Sequence, residues 1–345
     1  MGGRYGIIIG TPGGEELIVN IALLIFIATA LTFDFLNGFH DSANVVATVI
    51  ASQAMRPRSA LALSAITNLI GPFLFGVAVA TTIGSEVISE EAVTVPVAMA
   101  ALLSAIIWNL ITWFFGIPSS SSHALIGGFV GAAVTGYGLS VIIPEGLTKV
   151  LLALLISPFL GLFFGWLVMS LVLTIGQYSS PRINQVFLKG QWITATTLGL
   201  SHGTNDAQKT MGILTMGLVA FGVIDTFVVP DWVIFACAAS MALGTALGGW
   251  RLIKTMGFGF YHVRPSHAFS SQIASTVVIL GAALMGGPVS TTQVISSSIV
   301  GAGAAERANK VRWSLASQIV WAWVITLPFT ALLGGLFYLL LRNIV

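Results

Sequence analysis

The sequence has almost no cysteine and very little charge. One cysteine, Cys237, stands among 345 residues. That excludes an intrachain disulfide and a thiolate metal cluster, and within its apolar run the residue reads as a small buried hydrophobe. Asp, Glu, Lys and Arg together make up only 8% of the chain, against roughly 25% in an ordinary soluble domain. With 14 Lys+Arg and 12 Asp+Glu, a chain of this length cannot cover a water-facing exterior with charge, which excludes a soluble fold. The formal net charge is a mild +2, and the basic residues stand singly in loops and not in a stripe, so a nucleic-acid partner is excluded too. The N-terminal segment has a short apolar stretch but no convincing small-residue cleavage pattern. It is therefore expected to be mature chain, with a frayed Gly/Pro lead-in.

What the chain has in abundance is apolar sequence, 56% of residues, with a mean hydropathy of +0.96. A hydrocarbon core of ~30 Å takes ~20 helical residues to cross. Apolar runs of that order occupy about 17–36, 60–82, 93–115, 148–177, 192–224, 232–250, 266–285 and 313–341. The segments 116–138 and 286–305 are apolar but broken by Gly, Ser and Pro, and they are expected to be re-entrant hairpins. Non-helical backbone at membrane depth needs protein or a wet cavity to satisfy it, so both segments point at a site. The expectation is an all-α polytopic membrane protein. Loops holding Arg56 and Arg58, Arg182 and Lys189, and Arg251, Lys254 and Arg264 alternate with acidic loops holding Glu86, Glu90, Glu91, Asp225 and Asp231. By charge asymmetry the basic loops face the cytoplasm and both termini lie outside.

The two halves repeat one another. Asn37-Gly-Phe-His-Asp41-Ser-Ala-Asn44 aligns with His202-Gly-Thr-Asn-Asp206-Ala-Gln-Lys209, aspartate on aspartate. Pro118-Ser-Ser-Ser-Ser-His123 aligns with Pro288-Val-Ser-Thr-Thr-Gln293, and the same register carries Gly131-Ala132 onto Gly301-Ala302 and Pro158-Phe159 onto Pro328-Phe329. With the alternating loops, this reads as two inverted-topology repeats, 1–178 and 179–345. Substrate and coupling ions would then sit between them near the midplane, and alternating access follows.

Each motif carries chemistry. The stretch Leu17 to Ala54 would be ~57 Å as one straight helix, so it must tilt, kink or break. A break in the polar run Asp34 to Asn44, at Gly38 and its counterpart Gly203, would leave carbonyls and carboxylates for a cation. Asp41, Asp206, Asn37, Asn44 and Asn205 are the candidate cation ligands, with Ser201 nearby and Asp34 closer to a membrane edge. An ionised Asp in a span costs at least ~2.5–3.5 kcal/mol unless compensated, by a cation or by a neighbour such as Lys209. Ser119, Ser120, Ser121 and Ser122, with Ser290, Thr291, Thr292 and Gln293, read as oxyanion cradles at half-helix N-termini; helix glue is the competing reading. Lys209, the one basic residue inside an expected span, would pair with an Asp or balance an anion. His40, His123 and His202 read first as hydrogen-bonding core residues, and Asn68 and Gln272 as structural or site-wall residues.

Asn37 to Asn44, Ser201-His-Gly-Thr-Asn-Asp-Ala-Gln-Lys209 and both hairpin tips together resemble the inorganic phosphate transporter (PiT) family, in particular its prokaryotic members, over nearly the whole chain. The resemblance implies a secondary active symporter in the prokaryotic inner membrane, importing inorganic phosphate with sodium ions or protons. Extracellular termini come with it, and Asp41, Asn44, Asp206 and Lys209 become signature positions. Animal members have acidic residues where this chain has Asn68 and Gln272, which leaves their ion stoichiometry untransferred. Some relatives carry sulfate or metal-complexed phosphate. The expected partners are phosphate, the co-transported cation (Na⁺ in preference to H⁺), the lipid bilayer and a second copy in a homo-oligomer; no cofactor is expected. A passive anion channel and an intramembrane hydrolase built on Ser122 and His123 are the readings from other classes. The hydrolase fails because sequence adjacency does not make a triad.

Overall fold

A computed structural model describes residues 6–10, 16–180 and 182–344. Among them are twelve α-helices and one two-stranded antiparallel pair, Gly6–Gly10 (β1) with Glu16–Asn20 (β2). The pair replaces the frayed lead-in expected for the described part of this segment: the runs Ile7-Ile8-Ile9 and Leu17-Ile18-Val19 are β-branched or apolar and favour strand. Residues 1–5 and 11–15 lie outside the described residues.

The helices follow the expected spans. They are α1 (Ile21–Ala51), α2 (Pro57–Leu74), α3 (Ala78–Ser85), α4 (Val95–Phe115), α5 (Ser121–Tyr137), α6 (Pro144–Gly176), α7 (Ile183–Ala220), α8 (Asp231–Leu247), α9 (Trp250–Lys254), α10 (Pro265–Leu284), α11 (Thr291–Arg307) and α12 (Trp313–Leu341). Proline supplies the start signal for α2, α4, α6 and α10, standing in the first turn where its missing N–H costs nothing. Among the described residues five helices are long and apolar enough to cross a membrane, and up to seven if the bent pairs α2–α3 and α8–α9 each count as one span. Phe114, Phe159, Ile193, Trp321 and Leu332 are among many large apolar side chains left exposed. In water such a surface would aggregate; in hydrocarbon it is the expected exterior. The protein is an integral membrane protein.

The breaks are not where the sequence suggested. α1 runs unbroken through Asp41, and α7 runs unbroken through Asp206 for 38 residues, about 57 Å of helix. Gly38 and Gly203 therefore break nothing and act as close-packing points. A Cβ on Gly38 would fall on the Met241 carbonyl oxygen of α8, and one on Gly203 would lie 2.6 Å from the Asn68 Cα of α2. The chain bends instead between α2 and α3, by 76°, and between α8 and α9, by 63°. Each bend is stitched by the motif helix of the other half. Gln208 of α7 accepts from the amides of Val79 and Ala80 and donates to the Gly76 carbonyl; Ser42 of α1 accepts from the Gly249 amide.

α4 and α5 form one hairpin and α10 and α11 another. Gly116 and Gly286, equivalent in the repeat, turn the chain at positive φ (67° and 71°) where a side chain would be strained. The packing then crosses between halves. α5 lies on α12 of the second half and α11 lies on α6 of the first. Small residues permit the approach, Gly131 of α5 meeting Ala331 and Gly301 of α11 meeting Leu162. α1 packs on α8 as α2 packs on α7, so the internal symmetry of the sequence is a symmetry of contacts.

Candidate functional site

The tips of the two hairpins touch: Ser122 donates to the Val289 carbonyl at 3.1 Å. Behind them the motif stretches of α1 and α7 are buried on all faces, Asp41, Asn44, Asp206 and Lys209 each at 1% exposure or less. Four segments, two from each half, thus converge on one buried polar centre.

Its hydrogen bonds repeat with the sequence. The first residue of each short helix donates to the aspartate of its own half, Ser121 to Asp41 at 3.1 Å and Thr291 to Asp206 at 2.7 Å. The second residue of each reaches the motif helix of the other half. Thr292 donates to Asp41 at 3.1 Å and accepts from Asn44 at 3.1 Å, while Ser122 accepts from Lys209 at 2.6 Å. Lys209 also donates to the Val289 carbonyl at 3.0 Å and pairs with Asp206, one turn back on α7. His40 contacts Asp41 at 2.7 Å and His202 contacts Asp206 at 3.0 Å. One ligand atom from each of Asp41, His202 and Asp206 lies within 4.8 Å of the others. Two buried carboxylates and one buried ammonium share this centre, an arrangement costly unless every oxygen has a partner.

The candidate residues divide accordingly. Asp41, Asn44, Asp206, Lys209, Ser121, Ser122, Thr291 and Thr292 are brought together. Asn205 stands beside them, donating to the Gly287 carbonyl at 3.2 Å with its own side-chain oxygen unpartnered. Asn37 is buried one turn before Asp41, and neither of its side-chain polar atoms has a partner among the described residues. Ser120 and Ser290 are N-caps, accepting from the amides of His123 and Gln293. Their first job is to hold the short helices, because each satisfies an amide that burial would leave orphaned. Ser119 donates to Thr112 of α4, and Gln293 lines, with His123, a cavity of about 570 Å³ between α6 and α12. Ser201 bonds the Thr197 carbonyl of its own helix and adds nothing to the centre. His123 contacts Ser120 at 2.7 Å, and Ser122 bonds Lys209 and the Val289 carbonyl instead, so no triad forms there among the described residues.

Sequence pattern does not single out Gln208, and the two motif histidines, expected as hydrogen-bonding core residues, bond the two aspartates. His202 precedes Asp206 by one helical turn, a spacing that was available as a signal. Gln208 carries none, because the bend it satisfies lies 129 to 132 residues away in the chain. Asn68 bonds His202 at 3.2 Å and Thr245 at 2.9 Å, and Gln272 bonds Thr48 at 2.9 Å and also Thr194. These two form a second layer that fixes the motif helices.

The chain is similar to known proteins over most of its length. The family model for the phosphate transporter family matches twice, over residues 37–179 and 174–334. A probable low-affinity inorganic phosphate transporter of Bacillus subtilis (strain 168) is 43% identical over 95% of this chain and 99% of its own length. A relative of the same description in Rhizobium meliloti (strain 1021) is 44% identical over 90% of this chain and 94% of its own. A solved structure described as the sodium-dependent phosphate transporter superposes with a TM-score of 0.84 at 20% identity, covering 94% of this chain and all of that one. At that identity the likeness is one of fold.

Proposed function

The chain belongs to the phosphate transporter family, and on that premise we propose that it imports inorganic phosphate together with a cation, by alternating access between its two inverted halves. It is a membrane transporter and not an enzyme.

One observation carries the coupled reading: the donors of the hairpin tips and Lys209 are bonded to Asp41 and Asp206. Phosphate oxygens accept from the same donors as carboxylate oxygens, so phosphate at the tips would draw hydroxyls and Lys209 away from the aspartates. Two buried carboxylates cannot lose their donors without replacement. A cation among Asp41, Asp206, Asn44 and Asn205 supplies it, so each ligand stabilises the other's site. Phosphate moving into a negative interior is also opposed by ~2.3 kcal/mol per charge per 100 mV, which an accompanying cation offsets.

Sodium is the preferred cation, because Asp, Asn and hydroxyl oxygens are hard ligands; the sodium dependence named for the solved relative supports this. Protons are the second reading, favoured by His40 and His202 lying directly on the two aspartates. The hairpins are proposed to be re-entrant from opposite faces. The basic loops are proposed to be cytoplasmic, with both termini outside and the prokaryotic inner membrane as the location.

Uptake of labelled phosphate into proteoliposomes decides. An inward Na⁺ gradient at equal pH is expected to drive accumulation above the external concentration. Accumulation with a pH gradient alone, unaffected by Na⁺, would transfer the coupling to protons, and uptake that never exceeds equilibration would mean a channel.

A further inference from the structure

Unlike the apolar cavity between α6 and α12, a cavity of about 310 Å³ at the base of the α10–α11 hairpin, remote from the tips, is lined largely by charged side chains. Its acidic residue is already satisfied. Glu306 at the end of α11 pairs with Arg264 at 2.8 Å and with His267 at 2.7 Å, one partner on each carboxylate oxygen. Three further cations line the same cavity, Arg307, Lys310 and Arg312, all exposed. Among the described residues none of the three has an acidic partner. Arg312 donates once, to the Gly259 carbonyl at 3.3 Å.

The fold does not require these charges. In the register that aligns Pro118 with Pro288, Arg307, Lys310 and Arg312 stand opposite Tyr137, Ser140 and Ile142. The counterpart base, between α4 and α5, is closed by a Tyr137–Thr94 contact. The cavity also lies at the end of the helical bundle, where α10 begins and α11 ends, the level at which a spanning bundle meets lipid headgroups. The next residue, Trp313, is half exposed, with its indole N–H donating to the Ala308 carbonyl; tryptophan is enriched at membrane–water interfaces.

We propose that this cavity binds a phosphate-bearing anion, either the headgroup of an anionic phospholipid in the leaflet it faces or free inorganic phosphate. Unpaired guanidinium and ammonium groups at the edge of a helical bundle are the chemistry that holds such headgroups. A bound phosphate group would tie the end of α11 to the start of α12 and steady the hairpin whose tip carries Thr291 and Thr292.

The test uses the purified intact protein in detergent, with dihexanoyl phosphatidylglycerol, dihexanoyl phosphatidylcholine and inorganic phosphate as probes, and binding counted by native mass spectrometry. Wild type is expected to retain phosphatidylglycerol in preference to phosphatidylcholine. Removing the cations should weaken that binding by roughly fivefold each, so Arg307→Ala/Lys310→Ala/Arg312→Ala together should abolish it. Phosphatidylglycerol that millimolar phosphate does not displace assigns the lipid; displacement, with an extra phosphate bound by wild type over the triple variant, assigns free phosphate. Phosphate held elsewhere in the protein is common to both forms and cancels in that difference. Where the triple variant unfolds early, the exposed single change Lys310→Glu must show the same weakening. Equal affinity of wild type and these variants for both probes would overturn the proposal.

Discussion

At the residue scale the decisive pair is Asp206 and Lys209. Removing one partner of a buried ion pair costs about 3–5 kcal/mol, because the other charge is left without compensation. Asp206→Asn is therefore expected to lose transport and stability together, even though Lys209 keeps Ser122 and the Val289 carbonyl. Asp206→Asn with Lys209→Met should recover most of the melting temperature while uptake stays absent. A double variant that transports would remove both residues from the mechanism. Asp41 differs, since its partners are two hydroxyls and His40, all of which an amide can also engage. Asp41→Asn should fold near normally and fail to accumulate phosphate in the same liposome assay. Wild-type uptake in that variant would sink the proposed cation role of Asp41.

At the scale of elements, the two long motif helices are held by crossings with no room to spare and by side chains that satisfy bends in other helices. Gly203→Val would drive a side chain into the α2 backbone at Asn68, and overpacking of this kind costs at least about 1–3 kcal/mol. Gln208→Leu would strip two amides and one carbonyl of their partner, at about 1–3 kcal/mol for each buried group left unsatisfied. Both variants are expected to melt earlier in detergent and to transport less. Gly176→Ala, where nothing lies within 4 Å of the new Cβ, serves as the silent control. A Gly203→Val protein as stable as this control would mean that the α2–α7 crossing is looser than described.

At the scale of the molecule, the hairpins are exchanged between halves. α5 completes the packing of α12, and α11 that of α6, so neither half buries its own small-residue faces alone. Segments 1–178 and 179–345 expressed separately are expected to be degraded or to aggregate. Expressed together they should associate and restore phosphate uptake, which co-purification on a tag carried by one half would detect. A first half that purifies alone as a stable monomer would contradict the exchanged packing. The same exchange makes the centre a joint product: Thr292 of the second half donates to Asp41 of the first, and Ser122 of the first accepts from Lys209 of the second, contacts that a movement of one half against the other would change, as the proposed alternating access requires.

Much of this was legible in the chain. Hydropathy set the membrane environment and helical class, because lipid leaves no other use for so apolar a sequence. The aligned aspartates and the two Ser/Thr runs marked the residues that converge, because polar groups in hydrocarbon need a reason to be there. Pattern alone could not say that α1 and α7 stay intact and that the bends fall beside them. A helix survives Gly38 when its neighbour's backbone takes the space a side chain would fill, and only the three-dimensional arrangement of Met241 and Asn68 shows that it does. Nor could it say which hydroxyl meets which carboxylate, since the partners stand 80 to 251 residues apart and one of the bonds crosses between halves. The sequence by itself determined which groups are buried; tertiary packing decided which of them satisfy one another.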